Sequence, residues 1–309
     1  MAGKEVTENR DKYIGGSDIP IIMGLSPFKT RYQLLLEKAH LKDVEVVDNP
    51  AIDYGNEMEP IIRNYLNIAT DEHFTVDTFA LPGEPELVKD GELGIRINAD
   101  GYDEENRFLL EIKTTSRIHE SVDEYKLYLV QLLFGMMWFD TDYGYLAVYH
   151  RPEDYSTEFD DSRLQLFKVS LTDYDELEDE IEEAILRFKD DFKRIQSNPF
   201  LTEEDLLPTE LVKMSYKVIN LENRIKQIKF LQDRQKELNE ELYKLMEANG
   251  VKKWETPNGV KITLIEPIND KKEMKFDEDA FKESHPELYN QYLKETIKKG
   301  RKGYIKVAL

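Results

Sequence analysis

The stretch Leu93-Gly94-Ile95-Arg96-Ile97-Asn98-Ala99-Asp100-Gly101-Tyr102, followed by Asp103-Glu104-Glu105-Asn106 and then Arg107-Phe108-Leu109-Leu110-Glu111-Ile112-Lys113-Thr114, decides the fold. Apolar and polar residues alternate on both sides of a short polar turn, the pattern of two adjacent strands. Side chains on a strand alternate with a period of two, so Glu111 and Lys113 share one face. A hairpin brings Asp100, at the end of the first strand, beside Glu111. The motif therefore predicts two carboxylates and an ammonium on one patch of a sheet.

The surrounding chain supplies the rest of an α/β core. Residues 73–81 and 143–150 read as strands, as does Leu164–Ser170. Ser26-Pro27 reads as the start of a helix that residues 32–41 fit, with Thr30 as a candidate N-cap; another helix is expected at 55–69 with Pro60 in its first turn, and another at 120–138. Leu177, Ile181, Ile185, Phe188 and Phe192 recur at three- and four-residue spacing and predict an amphipathic helix with an acidic outer face. Strands interleaved with helices predict a central mixed sheet flanked by helices. After Asn198-Pro199-Phe200 the pattern changes. Leu211, Met214, Val218, Leu221, Ile225, Ile228 and Leu231, then Leu238, Leu242 and Leu245, predict a long coiled-coil-like arm ending at Asn249-Gly250. A small hairpin is expected around Asn258-Gly259. The tail beyond Asp270 ends in Lys298, Lys299, Arg301, Lys302 and Lys306. The expected division is a core over 1–209 and an arm, hairpin and basic tail over 210–309.

Composition bounds the function. The 309 residues include no cysteine, which excludes disulfides, thiolate metal sites and a cysteine nucleophile. No apolar run approaches the ~20 residues of a membrane helix, and residues 1–13 have no hydrophobic stretch, so neither a membrane span nor a signal peptide is expected. The formal net charge is −21. Taken as an average this disfavours a polyanionic partner, but the charge is uneven. Residues 210–309 hold 21 Lys and Arg against 17 Asp and Glu, a net of +4, which leaves −25 for residues 1–209.

Asp100, Glu111 and Lys113 carry the chemistry. Two carboxylates suit a hard, oxygen-liganded divalent cation such as Mg²⁺, and a neighbouring ammonium can stabilise developing negative charge. By itself the pattern is also met by a surface Glu–Lys pair. Gly15-Gly16-Ser17, leading into an apolar helix, reads either as an ordinary helix entry or as a turn offering N–H groups to an anion. Tyr125 and Tyr128 read as packing residues. The five histidines show no paired metal spacing.

Four ordered pieces carry a resemblance: Ile14-Gly15-Gly16-Ser17-Asp18-Ile19 with Gly24-Leu25-Ser26-Pro27-Phe28-Lys29-Thr30; Gly55-Asn56-Glu57-Met58-Glu59-Pro60; Asn98-Ala99-Asp100-Gly101 with Glu111-Ile112-Lys113-Thr114; and Tyr128-Leu129-Val130-Gln131. Over residues 10–195 the chain resembles the YqaJ-type viral recombinases, phage alkaline exonucleases related to lambda exonuclease, within the PD-(D/E)XK nuclease fold. The resemblance implies that Asp100 and Glu111, with the Ile112 carbonyl, hold the metal. It implies that Glu59 completes that site, that Lys113 is the catalytic lysine and that Gln131 supports it. Ser17, Arg10 and Asn98 match residues that grip a 5′-phosphate. It further implies Mg²⁺-dependent (or Mn²⁺-dependent) 5′→3′ digestion of one strand from double-stranded DNA ends. With that come a single-strand annealing partner of the RecT or Erf kind, a homo-oligomer with a trimer favoured, and the cytoplasm of a bacterial host of the phage or prophage. An endonuclease of restriction or repair type on the same fold, or a non-catalytic DNA-end or protein-binding module, are the alternatives.

Overall fold

The computed structural model describes residues 9–44, 49–266 and 276–292. Two compact units divide the chain, Met1–Leu207 and Pro208–Leu309. The first contains β1 (Tyr13–Ile14), α1 (Ile19–Ile22), α2 (Arg31–Lys38), α3 (Pro50–Ala69), β2 (Thr75–Leu81), β3 (Gly94–Asp103), β4 (Phe108–Thr115), α4 (Lys126–Phe139), β5 (Tyr143–His150), β6 (Leu164–Ser170), α5 (Asp175–Ser197) and α6 (Glu203–Leu206). This is the expected mixed α/β core with a central mixed sheet.

The sheet has six strands. β3, β4, β5 and β6 lie side by side, with β3–β4 and β5–β6 antiparallel and β4–β5 parallel. The other contacts of β3 position the site. Ile95 pairs with Leu81 of β2 and also with Ile14 of β1, and Tyr102 pairs with Thr75 of β2 and also with Leu109 of β4. A strand has only two edges, so β2 takes one edge, while β1 and β4 share the other. β1 covers Gly94 and Ile95, β4 covers Gly101 to Asp103, and β3 between them has no strand partner on that edge. Between Ala99 and Tyr102, β3 also carries one residue more than its β2 partner, a bulge at Asp100-Gly101. Such a bulge re-aims side chains.

Two apolar layers sandwich the sheet. On one side Leu129, Val130, Leu133 and Phe134 of α4 pack with Ile181, Ile185 and Phe188 of α5 and with Ile95 and Ile97. On the other, Tyr54, Met58, Ile62 and Leu66 form one stripe of α3 over Phe74, Leu110, Ile112, Ala147 and Tyr149. α4 is apolar over most of its surface, and Leu129, Val130, Leu132, Leu133, Phe134 and Met136 are buried.

α3 corrects one expectation. Pro60 lies inside the helix, not in its first turn. The helix starts five residues earlier than expected, where Asn49 Oδ1 accepts from Ala51 N–H at 3.0 Å and Pro50 occupies the first position. An interior proline forfeits one backbone hydrogen bond. Here the ring is exposed, and the four-spaced apolar stripe offsets the loss. At α2 the expected cap is present: Thr30 Oγ1 accepts from Gln33 N–H at 3.2 Å, and Gln33 Oε1 accepts from Thr30 N–H at 2.9 Å.

The second unit contains the 40-residue helix α7 (Thr209–Ala248), the hairpin β7 (Lys253–Glu255) and β8 (Lys261–Thr263), and two short helices, α8 (Glu278–Ser284) and α9 (Pro286–Tyr292). Gly250 stops α7 at φ +66° and Gly259 turns the hairpin at φ +79°, conformations that favour glycine. Leu221, Ile225 and Ile228 on α7 are more than half exposed. Residues 298–306, with their basic cluster, lie outside the described residues. No helix among the described residues is long and apolar enough to cross a membrane.

Candidate active site

Where β1 and β4 part along β3, a cavity of about 220 Å³ opens. It is lined by Arg10, Ser17, Asn98, Asp100, Glu111, Lys113 and Gln131, together with Tyr13, Gly15, Gly16, Arg96 and Ile97. Seven of the nine residues singled out in the sequence thus face one space. Glu59 and Ile112 do not line it.

One end is acidic. Lys113 Nζ is ion-paired with Glu111 and lies 3.9 Å from Asp100 Oδ2. The other contact of Asp100 Oδ2 is a 2.7 Å hydrogen bond from the backbone N–H of Ile112. In an unbroken antiparallel ladder that N–H would serve a carbonyl; beside the bulge it fixes a carboxylate. Ile112 thus reaches Asp100 through its N–H. Burial pushes the Glu111 carboxyl up to about 7, against the pull of Lys113 and with a further push from Asp100. Burial alone would lower the Lys113 ammonium, but Glu111 and Asp100 outweigh it and hold it above the ordinary lysine range. Glu59, midway along α3, is raised by burial and by Asp100, against the hydrogen bond from Arg63. Arg63 donates to Glu59 Oε1 at 3.0 Å and also to the Asp100 carbonyl. It thereby joins α3 to the bulge, a link that the four-residue spacing of Glu59 and Arg63 signals in the sequence.

The donor chemistry fits a hard divalent cation. Mg²⁺ is typically held by one or two carboxylates, with water and substrate phosphate completing its shell, and Asp100 and Glu111 are two such groups facing an open cavity. Among the described residues no set of three or more His, Asp or Glu side chains is grouped to hold a metal; Glu59 is tied to Arg63 and feels the charge of Asp100. Gln131, which lines the cavity, donates from Nε2 to Leu127 O of its own helix at 3.2 Å.

The opposite end brings an arginine and a serine together at a glycine turn. Arg10 donates to Ser17 Oγ at 2.7 Å across the Gly15-Gly16 turn. Asp18 closes that turn, its Oδ2 accepting from Gly15 N–H at 3.0 Å. A buried lysine that the sequence reading passed over holds the segment. Lys38 Nζ donates to Arg10 O at 2.7 Å and to Tyr13 O at 2.5 Å, and pairs with Asp18 Oδ2 at 2.8 Å. Asn98 Oδ1 accepts from Thr78 Oγ1 at 3.2 Å. Arg96 was also passed over, although it stands two residues before Asn98 and four before Asp100 on one strand. Tyr125 packs as expected, nearly buried, with its hydroxyl donating to Gln165 Oε1 at 2.7 Å.

The fold and the cavity define a mixed α/β protein with an Asp–Glu–Lys centre at a strand bulge. Residues 6–139 match the family model of the YqaJ-like viral recombinase domain, the family that the sequence motifs resemble. Among solved structures, an alkaline exonuclease from Laribacter hongkongensis is 17% identical, with 63% of this chain and 97% of that one covered and a TM-score of 0.43. A phage-related exonuclease from Haemophilus somnus is 16% identical, with 60% and 95% covered and a TM-score of 0.44. No curated protein matches the chain.

Proposed function

We propose that this chain is a metal-dependent deoxyribonuclease that digests one strand of linear duplex DNA from its ends, in the 5′→3′ direction, leaving 3′ overhangs. One observation carries the reading: a single cavity joins an Asp–Glu–Lys centre to an arginine, serine and glycine turn suited to an anion. The match to the YqaJ-like viral recombinase domain supports it.

Asp100 and Glu111 would hold Mg²⁺, with Mn²⁺ an acceptable substitute on the same oxygen donors. The bound ion supplies polarisation of a phosphoryl oxygen and a lowered pKa for water. Lys113, kept protonated by its two carboxylate neighbours, steadies negative charge developing at the scissile phosphate. Gln131 offers an acceptor to orient water. Arg10, Ser17 and Asn98 grip the terminal 5′-phosphate and so place the next phosphodiester at the carboxylates. Arg63 and Glu59 fix the bulge from behind.

The product strands fit a single-strand annealing partner of the RecT or Erf kind, in the cytoplasm of a bacterial host. The exposed apolar stripe of α7 supports self-association, with a trimer favoured. Purified protein is expected to degrade linear duplex with Mg²⁺ and not with EDTA, to spare closed circles, and to lose activity as Lys113→Ala while staying folded. Equal digestion of circles would make it an endonuclease, and a fully active Lys113→Ala would remove the assigned centre.

A further inference from the structure

Asp100 is held from two sides, and one of the holders belongs to α3. On β3, Ile95, Ile97 and Ala99 pack into the α4–α5 layer at every second position, and Tyr102, three positions after Ala99, packs against that layer too. The bulge at Asp100-Gly101 thus shifts the alternation of the strand by one residue. A shift of one residue turns side chains to the other face of a sheet, so the bulge decides where Asp100 points. A bulge also disrupts the ladder locally, and side chains must then hold its geometry. From β4, the Ile112 N–H holds the Asp100 carboxylate at 2.7 Å. From α3, Arg63 donates to the Asp100 carbonyl. The same nitrogen donates to Glu59 Oε1 at 3.0 Å, one turn earlier on the helix, and the Arg63 side chain is only 12% exposed. Its contact with the bulge is therefore made largely out of water. Gly101 lets this layer close on the bulge, since a Cβ there would lie 2.8 Å from the Cβ of Phe74, which packs under the α3 stripe.

The sign of the effect on a cation separates two roles for Arg63. Acting by charge alone, a guanidinium repels a divalent cation, and its removal would tighten metal binding. Acting by position, it keeps a carboxylate aimed, and its removal would loosen metal binding. Partners that orient metal ligands typically carry 10- to 100-fold in affinity. We propose that Arg63 is a positioning residue of the metal centre: through the Asp100 carbonyl it locks the bulge in the phase that aims the Asp100 carboxylate into the cavity beside Glu111, so that affinity for a hard divalent cation is set from α3. Arg63 does not line the cavity and acts through Asp100. The inference rests on the metal-dependent reading above and deepens it by naming the residue that orders one of the two carboxylates.

The test measures Mn²⁺ binding to the full-length protein without DNA, from the loss of the free-ion electron paramagnetic resonance signal. The wild type is expected to bind the ion, and Asp100→Asn is expected to lose that binding, which identifies the site. Arg63→Met, which has no donor, is expected to bind Mn²⁺ roughly 10- to 100-fold more weakly than the wild type. At a fixed, subsaturating Mg²⁺ concentration its kcat on linear duplex should fall while KM for the duplex stays at the wild-type value, a split that lost stability alone does not produce. Arg63→Lys keeps the charge but reaches one bond less, and should fall between. Unchanged or tighter Mn²⁺ binding in folded Arg63→Met would overturn the proposal and leave the nuclease reading standing. If Arg63→Met does not fold, Arg63→Lys decides, and wild-type affinity in that variant overturns the proposal. A wild type that binds no Mn²⁺, or an Asp100→Asn variant that binds it equally well, would remove the metal centre itself and the role of Arg63 with it.

Discussion

Lys38 Nζ lies 2.8 Å from Asp18 Oδ2, and both side chains are almost wholly shielded from solvent. Between them the two residues tie down Arg10, Tyr13 and Gly15. Removing one partner of a buried pair strands the other, at a cost of about 3–5 kcal/mol. Lys38→Met should therefore lower the unfolding free energy by about that amount, as read from urea titration at pH 7. A loss below about 1 kcal/mol would mean that solvent reaches Asp18 and that the pair is not the clamp described.

Metal binding has a readout apart from catalysis. A cation bound by the folded state alone raises stability with its concentration, by about 2.7 kcal/mol at a hundredfold excess over Kd. Mg²⁺ should raise the melting temperature of the wild type, and Asp100→Asn should abolish most of the rise. An equal rise in both proteins would place the ion elsewhere.

Asp103 gives a pH dependence with a definite sign. Burial alone would raise its carboxyl, but backbone N–H groups of Asn106, His73 and Glu105 outweigh burial and hold it below the usual aspartate range. A carboxyl with a lowered folded pKa stabilises fully above its unfolded value of 3.8 and loses that contribution as pH falls through the folded pKa. Asp103→Asn should cost about 1–3 kcal/mol at pH 7, and the gap to the wild type should close below pH 3.8. A gap that is constant down to pH 2 would show that charge on Asp103 is not what holds the β3–β4 turn.

Gly94 tests the link from packing to end recognition. A Cβ there would sit 2.7 Å from the Tyr13 ring and 2.8 Å from the Leu81 carbonyl oxygen, and the backbone cannot yield as a flexible side chain can. Gly94→Ala should cost about 1–3 kcal/mol through forced repacking. By moving Tyr13 it should also weaken the preference for phosphorylated ends. A destabilised variant with full preference would separate the Tyr13 ring from end recognition.

The acidic half of the cavity was legible because strand periodicity and a short turn are local properties: Asp100, Glu111 and Lys113 lie within fourteen positions of one another. The pairing of Arg10 with Ser17 was legible only through family resemblance, since nothing local says that a Gly-Gly turn folds a side chain back. Arg96 carried a readable signal, the alternation Arg96, Asn98, Asp100, but a search for acids passes over a basic member of the row. Lys38 carried none. At the end of a helix it reads as a solvated cation, and only the docking of β1 buries it. Pro60 was misplaced because a local rule about prolines was weighed without Tyr54, Met58, Ile62 and Leu66, whose shared burial outweighs it.

The anion end and the acidic end differ in how they are tied to the sheet. β4 pairs with β5 along its whole length and with β3 over Phe108 to Leu110, whereas β1 is two residues long and meets β3 roughly eighty positions away in the chain, so its docking closes a long loop for few hydrogen bonds. The β1 edge is therefore a seam at which local opening costs little. A molecule that transiently undocks β1 keeps Asp100, Glu111 and Lys113 in register yet separates them from Arg10 and Ser17. During synthesis, too, Tyr13 and Ile14 must wait for Gly94 and Ile95 before they have a strand to join.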